Sequence, residues 1–126
     1  ERKTMGDLTK NFSRSEFKCQ GVGCCDKSKE IDIGIVSILQ VLRDFFGETV
    51  KVTSAIRCDT HNANVGGAKR SKHLAGIACD IVVSNHTPSE VYDFLCYIMR
   101  DYGGIIQYKS FVHVDIRATM YRSERA

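Results

Sequence analysis

Thr87–Arg117, TPSEVYDFLCYIMRDYGGIIQYKSFVHVDIR, is the stretch whose reading decides the fold class. It opens on Thr87-Pro88-Ser89-Glu90, a hydroxyl three residues ahead of a carboxylate with proline at the first helical position. That pattern satisfies the orphan amide donors of a helix start, so a helix is predicted over the following VYDFLCYIMRDY. Val91, Phe94, Leu95 and Ile98 recur at helical spacing and give it one apolar stripe. Gly103-Gly104 ends the helix, and IIQY and FVHVDIR then read as two strands joined tightly near Lys109-Ser110. A helix feeding a hairpin points to an antiparallel sheet with helices laid against it.

Upstream, IACDIVV over residues 77–83 is a short, largely buried strand carrying one acid, Asp80. VKVTSAI over residues 50–56 alternates and is rich in β-branched residues, a strand predicted to end at Arg57. Between them runs CDTHNANVGGAKRSKH, polar and Gly-containing, a long excursion of the kind on which substrate-handling groups collect. Ahead of both strands, Ile35, Val36, Ile38, Leu39, Leu42, Phe45 and Phe46 recur at helical spacing. Gln40, Arg43 and Asp44 form the wet face of that helix and Gly47 its stop. NFSRSEFKC reads as a turn or a single helical turn anchored by Phe12 and Phe17. The expected architecture is α+β: a small, mostly antiparallel sheet with helices packed on one face. Residues 1–10 are expected to form a leader without fixed structure, 11–117 the domain and 118–126 a C-terminal tail.

Composition supports one compact domain. The 126 residues are 43% apolar and 26% charged, with one Pro and 10 Gly, which excludes disordered and collagen-like classes. A net charge of +3 is too slight for a protein tracking several nucleic-acid phosphates. No apolar run reaches membrane-spanning length, and ERKTMGDLTK lacks the apolar stretch of a secretion signal. Six cysteines are too few for a fold held mainly by disulfides. Cys19, Cys24 and Cys25 in CQGVGCC, with Cys58, leave crosslinks, free thiols and a second, structural zinc site all open. Cys79 and Cys96 read as buried free thiols behaving as small apolar groups.

The chemistry concentrates in SKHLAGIACD, residues 71–80, where His73 precedes a strand and Asp80 lies inside it. A carboxylate in an apolar strand is costly unless it is paired, hydrogen-bonded or bound to a cation. His113 lies in the equally apolar FVHVDIR, and imidazole is the side chain best suited to zinc at neutral pH. If His73, Asp80 and His113 meet, two imidazoles and one carboxylate leave a tetrahedral zinc one open position, the mark of a catalytic site. Spacing alone favours a structural His–Asp hydrogen bond over a metal site.

Ser71, His73, Gly76, Ala78 and Asp80 reproduce S-x-H-x-x-G-x-A-x-D, and in this the chain resembles the zinc D-alanyl-D-alanine carboxypeptidases, a family that includes phage L-alanyl-D-glutamate endopeptidases. The resemblance extends through SAIRCDTHNANVGGAKRSKH and FVHVDIR, and the leader NFSRSEFKC is similar to that of small phage and bacterial members. It implies that His73, Asp80 and His113 bind zinc, that Arg57 binds a substrate carboxylate and that Ser71 assists positioning near the metal. Peptidoglycan stem peptides carry free carboxylates, and a guanidinium fork recognises them at two points. The implied protein is a monomeric zinc metallopeptidase acting on peptidoglycan peptides in the cell wall or periplasm, next to a D-amino acid. It binds no nucleic acid and inserts in no membrane. The missing secretion signal suggests a phage endolysin made in the host cytoplasm and released at lysis.

One departure matters. Many members of that family place an acid three residues before the last His ligand, and this chain has Ser110 there. Six residues before it, where the related Hedgehog signalling domain carries an acid, stands Gln107. Neither takes up a proton usefully. Asp115, two residues after His113, points to the same strand face and is expected to act as the catalytic base or to orient a metal ligand. The competing role is a structural pairing with Arg117 or Arg57. His61 reads as a substrate-binding or an idle exposed loop residue, His86 as solvent-facing, and Tyr108 and Tyr121 as packing or cleft-lining residues. The departure keeps two alternatives alive, a zinc-binding module that has lost its chemistry and a virion structural protein on the same fold.

Overall fold

A computed structural model describes residues 6–18, 31–56, 72 and 76–125 of the chain. The chain enters by turning back on itself. Gly6 N–H donates to the carbonyl of Lys10, a bridge joins Thr9 and Phe12, and the Thr9 hydroxyl reaches the Gln40 side chain. Residues 6–10 of the expected leader thus form a turn that meets the first helix through Thr9. A single 3-10 turn, Arg14–Glu16, follows within a Ser13/Glu16 capping box, and Phe12 and Phe17 bury their rings on either side of it.

The first helix, α1 (Ile33–Phe46), starts at Asp32, whose side chain accepts from the Gly34 amide, and stops at Gly47, whose φ of +67° is the left-handed cap glycine adopts without strain. Its buried face is Ile35, Val36, Ile38, Leu39 and Leu42. Phe45, expected in that face, is instead 62% exposed, its ring stacked on Phe94 at 4.0 Å. Strand β1 (Val50–Ser54) ends short of the expected Arg57, and its register against the next strand shifts between Val52 and Ser54. Beyond it Ala55 and Ile56 stay buried, and Ile56 N–H donates to the Phe17 carbonyl.

Strand β2 (Ala78–Val83) leads through a turn into α2 (Pro88–Met99), which has the Thr87/Glu90 capping box and proline start read from the sequence. Strands β3 (Gly104–Gln107) and β4 (Val112–Asp115) form the expected hairpin, closed by Tyr108 N–H on the Phe111 carbonyl. The stretch expected as a tail adds a further strand, β5 (Tyr121–Glu124), which runs parallel to β3. The sheet order is β1-β2-β4-β3-β5, antiparallel at every junction except the last. The architecture is α+β, as expected.

Alternation divides the sheet into two faces. Cys79, Ile81 and Val83 of β2, Val112 and Val114 of β4 and Ile105 of β3 join the helix residues Leu39, Leu42, Val91, Leu95 and Met99 in one core. Both helices therefore cover the same face. Buried Cys79 has its thiol pushed well above the ordinary range, by desolvation first and by the nearby Asp80 charge second, so it packs as an apolar group. Among the described residues no helix is long and apolar enough to cross a membrane. The other sheet face carries Asp80, His113 and Asp115, opposite both helices.

Candidate metal centre

Antiparallel pairing of β2 with β4 sets Asp80 directly across from His113, and pairing of β4 with β3 sets Asp115 across from Gly104. Cross-strand neighbours on one face stand close enough for their side chains to meet. They do. His113 Nδ1 lies 3.1 Å from Asp80 Oδ1, and His113 Nε2 lies 2.8 Å from Asp115 Oδ2. All three side chains are buried, Asp115 completely.

Asp115 is held at several points at once. Its Oδ1 accepts from Gly104 N–H at 2.9 Å, Arg117 N–H at 3.1 Å and Arg117 Nε at 2.8 Å. Its Oδ2 accepts from Arg117 Nη2 at 2.6 Å as well as from His113. Burial alone would raise the pKa of this carboxyl, but the hydrogen bonds from Arg117 and His113 outweigh it and hold Asp115 well below the usual carboxylate range. Burial alone would likewise lower His113, yet its bonds to Asp115 and Asp80 and their charges raise it. The imidazole lies between the carboxyl groups of Asp80 and Asp115, and this contact favours its protonated form.

A carboxylate only accepts, so Asp115 fixes the proton of His113 on Nε2 and leaves Nδ1 facing Asp80. The Nδ1–Oδ1 pair is then one nitrogen and one oxygen donor bridged by a single proton. Two donors on a tetrahedral zinc, each bound at about 2.0–2.2 Å, lie roughly 3.3–3.5 Å apart. The 3.1 Å separation here is close to that spacing, and the donor types are those zinc takes. The residues present fit the ion. Among the described residues no three His, Cys, Asp or Glu side chains group so as to hold a metal, and of the three expected ligands Asp80 and His113 are the two that lie among them.

The structure thus brings Asp80, His113 and Asp115 together. Arg57, Ser71 and His73 lie outside the described residues, as do His61, Cys19, Cys24, Cys25 and Cys58. Lys72 is described, and its carbonyl accepts from Ile77 N–H at 3.4 Å, just ahead of β2. Gln107 pairs with Val112, so its side chain belongs to the helix-covered face and not to the face of His113. His86 sits by the cap of α2, 3.3 Å from Glu90 and against the ring of Phe46. Tyr108 stacks on Phe111, and Arg125 reaches the hydroxyls of Tyr108 and Tyr121.

Gly104 has a role that the helix-stop reading missed. A β-carbon there would stand 2.5 Å from Asp115 Oδ2 and 2.6 Å from Arg117 Nε, so only a residue without a side chain leaves room for the clasp. A glycine standing inside a strand was the available signal. Gly104→Ala is expected to cost about 1–3 kcal/mol through overpacking and to displace the Asp115 carboxylate. Urea unfolding of the variant checks the first effect, and the His113 imidazole resonances check the second. An unchanged midpoint with unchanged resonances would contradict both.

No curated protein shows significant similarity to the chain. The family profile described as Peptidase M15 matches residues 10–115, a span running from the first turn through β2 and β4 to Asp115. Peptidases of this family are generally zinc-dependent, in keeping with the donor pair found on the sheet. Since the match takes in most of the chain and the strands that carry Asp80, His113 and Asp115, the chain belongs to the M15 metallopeptidases.

Proposed function

We propose that the protein is a zinc peptidase of the bacterial cell wall, hydrolysing peptidoglycan stem peptides next to a D-amino acid, as a phage lysis enzyme does. The observation that carries the reading is the pairing of Asp80 with His113 at 3.1 Å on the sheet face opposite α1 and α2, with the imidazole fixed from behind by Asp115. Asp80 and His113 hold the ion together with His73, whose neighbour Lys72 is tied to the foot of β2. When bound, zinc acidifies a water molecule and polarises a carbonyl oxygen. Arg57 grips a free substrate carboxylate through its two-pronged guanidinium, and Ser71 helps align the substrate beside it. Asp115 keeps the His113 proton on Nε2. Both its oxygens are already engaged by Gly104, Arg117 and His113, so of its two roles we assign orientation.

A second reading rests on one observation. Ser110 lies in the β3–β4 turn and Gln107 on the far face, so neither position that carries an acid in related domains presents one here. A zinc-binding module without hydrolytic activity would look the same. Mass spectrometry of purified peptidoglycan incubated with the zinc-loaded and the chelator-treated protein separates the two. New peptide termini that appear only with zinc are expected. Loss of terminal D-Ala marks a carboxypeptidase, and a cut between L-Ala and D-Glu an endopeptidase. Bound zinc with no new termini would favour the module.

A further inference from the structure

We infer that Arg117 is a positioning residue of the metal centre, acting through Asp115 on His113, and that the edge strand β5 keeps it in place. The inference rests on the zinc reading above and extends it to residues beyond Asp115, where the family match ends. Arg117 meets Asp115 as a fork, Nε on one oxygen and Nη2 on the other, and adds its own backbone N–H. With Gly104 N–H these contacts fix the plane of the carboxylate, and the plane of the carboxylate sets where Oδ2 meets His113 Nε2. A point charge would neutralise Asp115 as well but would not fix its rotation. The fork is therefore the part of Arg117 that reaches the metal ligand.

β5 holds Arg117 from the edge of the sheet. Tyr121 pairs with Gly104, and the Arg117 guanidinium lies 5.0 Å above the centre of the Tyr121 ring. Gly103 ties the two segments together: its N–H donates to the Arg117 carbonyl and its carbonyl accepts from Tyr121 N–H. On the opposite face Arg122 donates to the carbonyls of Arg100, Tyr102 and Gly103, pinning the strand to the end of α2. A continuous row of contacts thus runs from Tyr121 through Arg117, Asp115 and His113 to Asp80.

The test compares wild type, Arg117→Lys and Arg117→Gln, with Thr87→Ala as a control that loosens a helix cap far from Asp115. Zinc affinity is measured by chelator competition, the His113 Nε2–H resonance by NMR of the zinc-loaded protein, and kcat and KM on soluble muropeptides. Arg117→Lys is expected to fold, to bind zinc about tenfold more weakly, to lose or shift the Nε2–H resonance, and to lower kcat with KM little changed. Arg117→Gln should weaken zinc about 10- to 100-fold. Thr87→Ala should melt earlier with zinc affinity unchanged. Arginine variants that fold and keep wild-type zinc affinity and the wild-type resonance overturn the inference alone. Should Arg117→Gln fail to fold, Arg117→Lys decides by the same criteria. A wild-type chain that binds no zinc overturns the metal reading and the inference with it.

Discussion

His113→Ala is expected to abolish stoichiometric zinc and to lower peptidase activity by at least about 10³-fold, because the variant loses both a ligand and the only described group joining Asp80 to Asp115. The loss of activity should exceed the loss of stability. Deleting a hydrogen-bonded group from a buried site costs about 1–3 kcal/mol, which a domain with 5–15 kcal/mol in hand survives. The variant should therefore fold, and elemental analysis with muropeptide release then reads the site and not the fold. Asp80→Asn makes the same point more gently, since the amide keeps the shape of the carboxylate but neither its charge nor its full acceptor capacity. Stoichiometric zinc and an unimpaired rate in His113→Ala would refute the assignment of this ligand.

The residues that build this centre were legible in the sequence to different degrees, for physical reasons. Helix starts and stops announce themselves locally, as at Thr87, Pro88 and Gly47, because caps satisfy backbone groups within a few residues. That Asp115 shares a face with His113 follows from the two-residue period of a strand. That Asp80 sits directly opposite His113 does not, because register between strands distant in sequence is set by the fit of whole faces. The same register turned Gln107 to the far face, which no count along the chain reveals. β5 was missed because YRSE has no apolar alternation. It is an exposed edge strand secured by backbone pairing to β3 and by the Arg122 bonds to three carbonyls at the end of α2, and neither leaves a mark in hydropathy. Gly104 read as punctuation because the space its missing side chain provides is visible only once Asp115 and Arg117 occupy it.

Asp115→Ala is expected to be the most destabilising single change at the site, by about 3–5 kcal/mol, because removing one partner of a buried ion pair strands the other. Arg117 is 24% exposed at its side chain, so solvent softens the loss and the lower end of that range applies. Asp115→Asn keeps the volume, but every described group bonded to the carboxylate is a donor, and the new amide must turn its own donors toward one of them. The pH dependence of the metal-free protein carries the signature. A depressed Asp115 contributes stability that is present above the unfolded pKa of about 3.9 and is lost as pH falls through the lower folded value. A raised His113 contributes stability that is complete below the unfolded pKa of about 6.5 and is lost as pH rises through the higher folded value. Metal-free wild type should accordingly be most resistant to urea between about pH 4 and 6.5, and weaken on both sides. Asp115→Asn removes the acid limb outright and, by deleting one of the two carboxylates that clasp the imidazole, shrinks the alkaline limb, so its profile across that window should flatten. Zinc reverses the alkaline trend in the wild type, since the ion competes with a proton for His113 and binds better as that proton leaves. A variant profile parallel to that of the wild type, merely shifted down, would mean that Asp115 supports the sheet without governing the charge on His113.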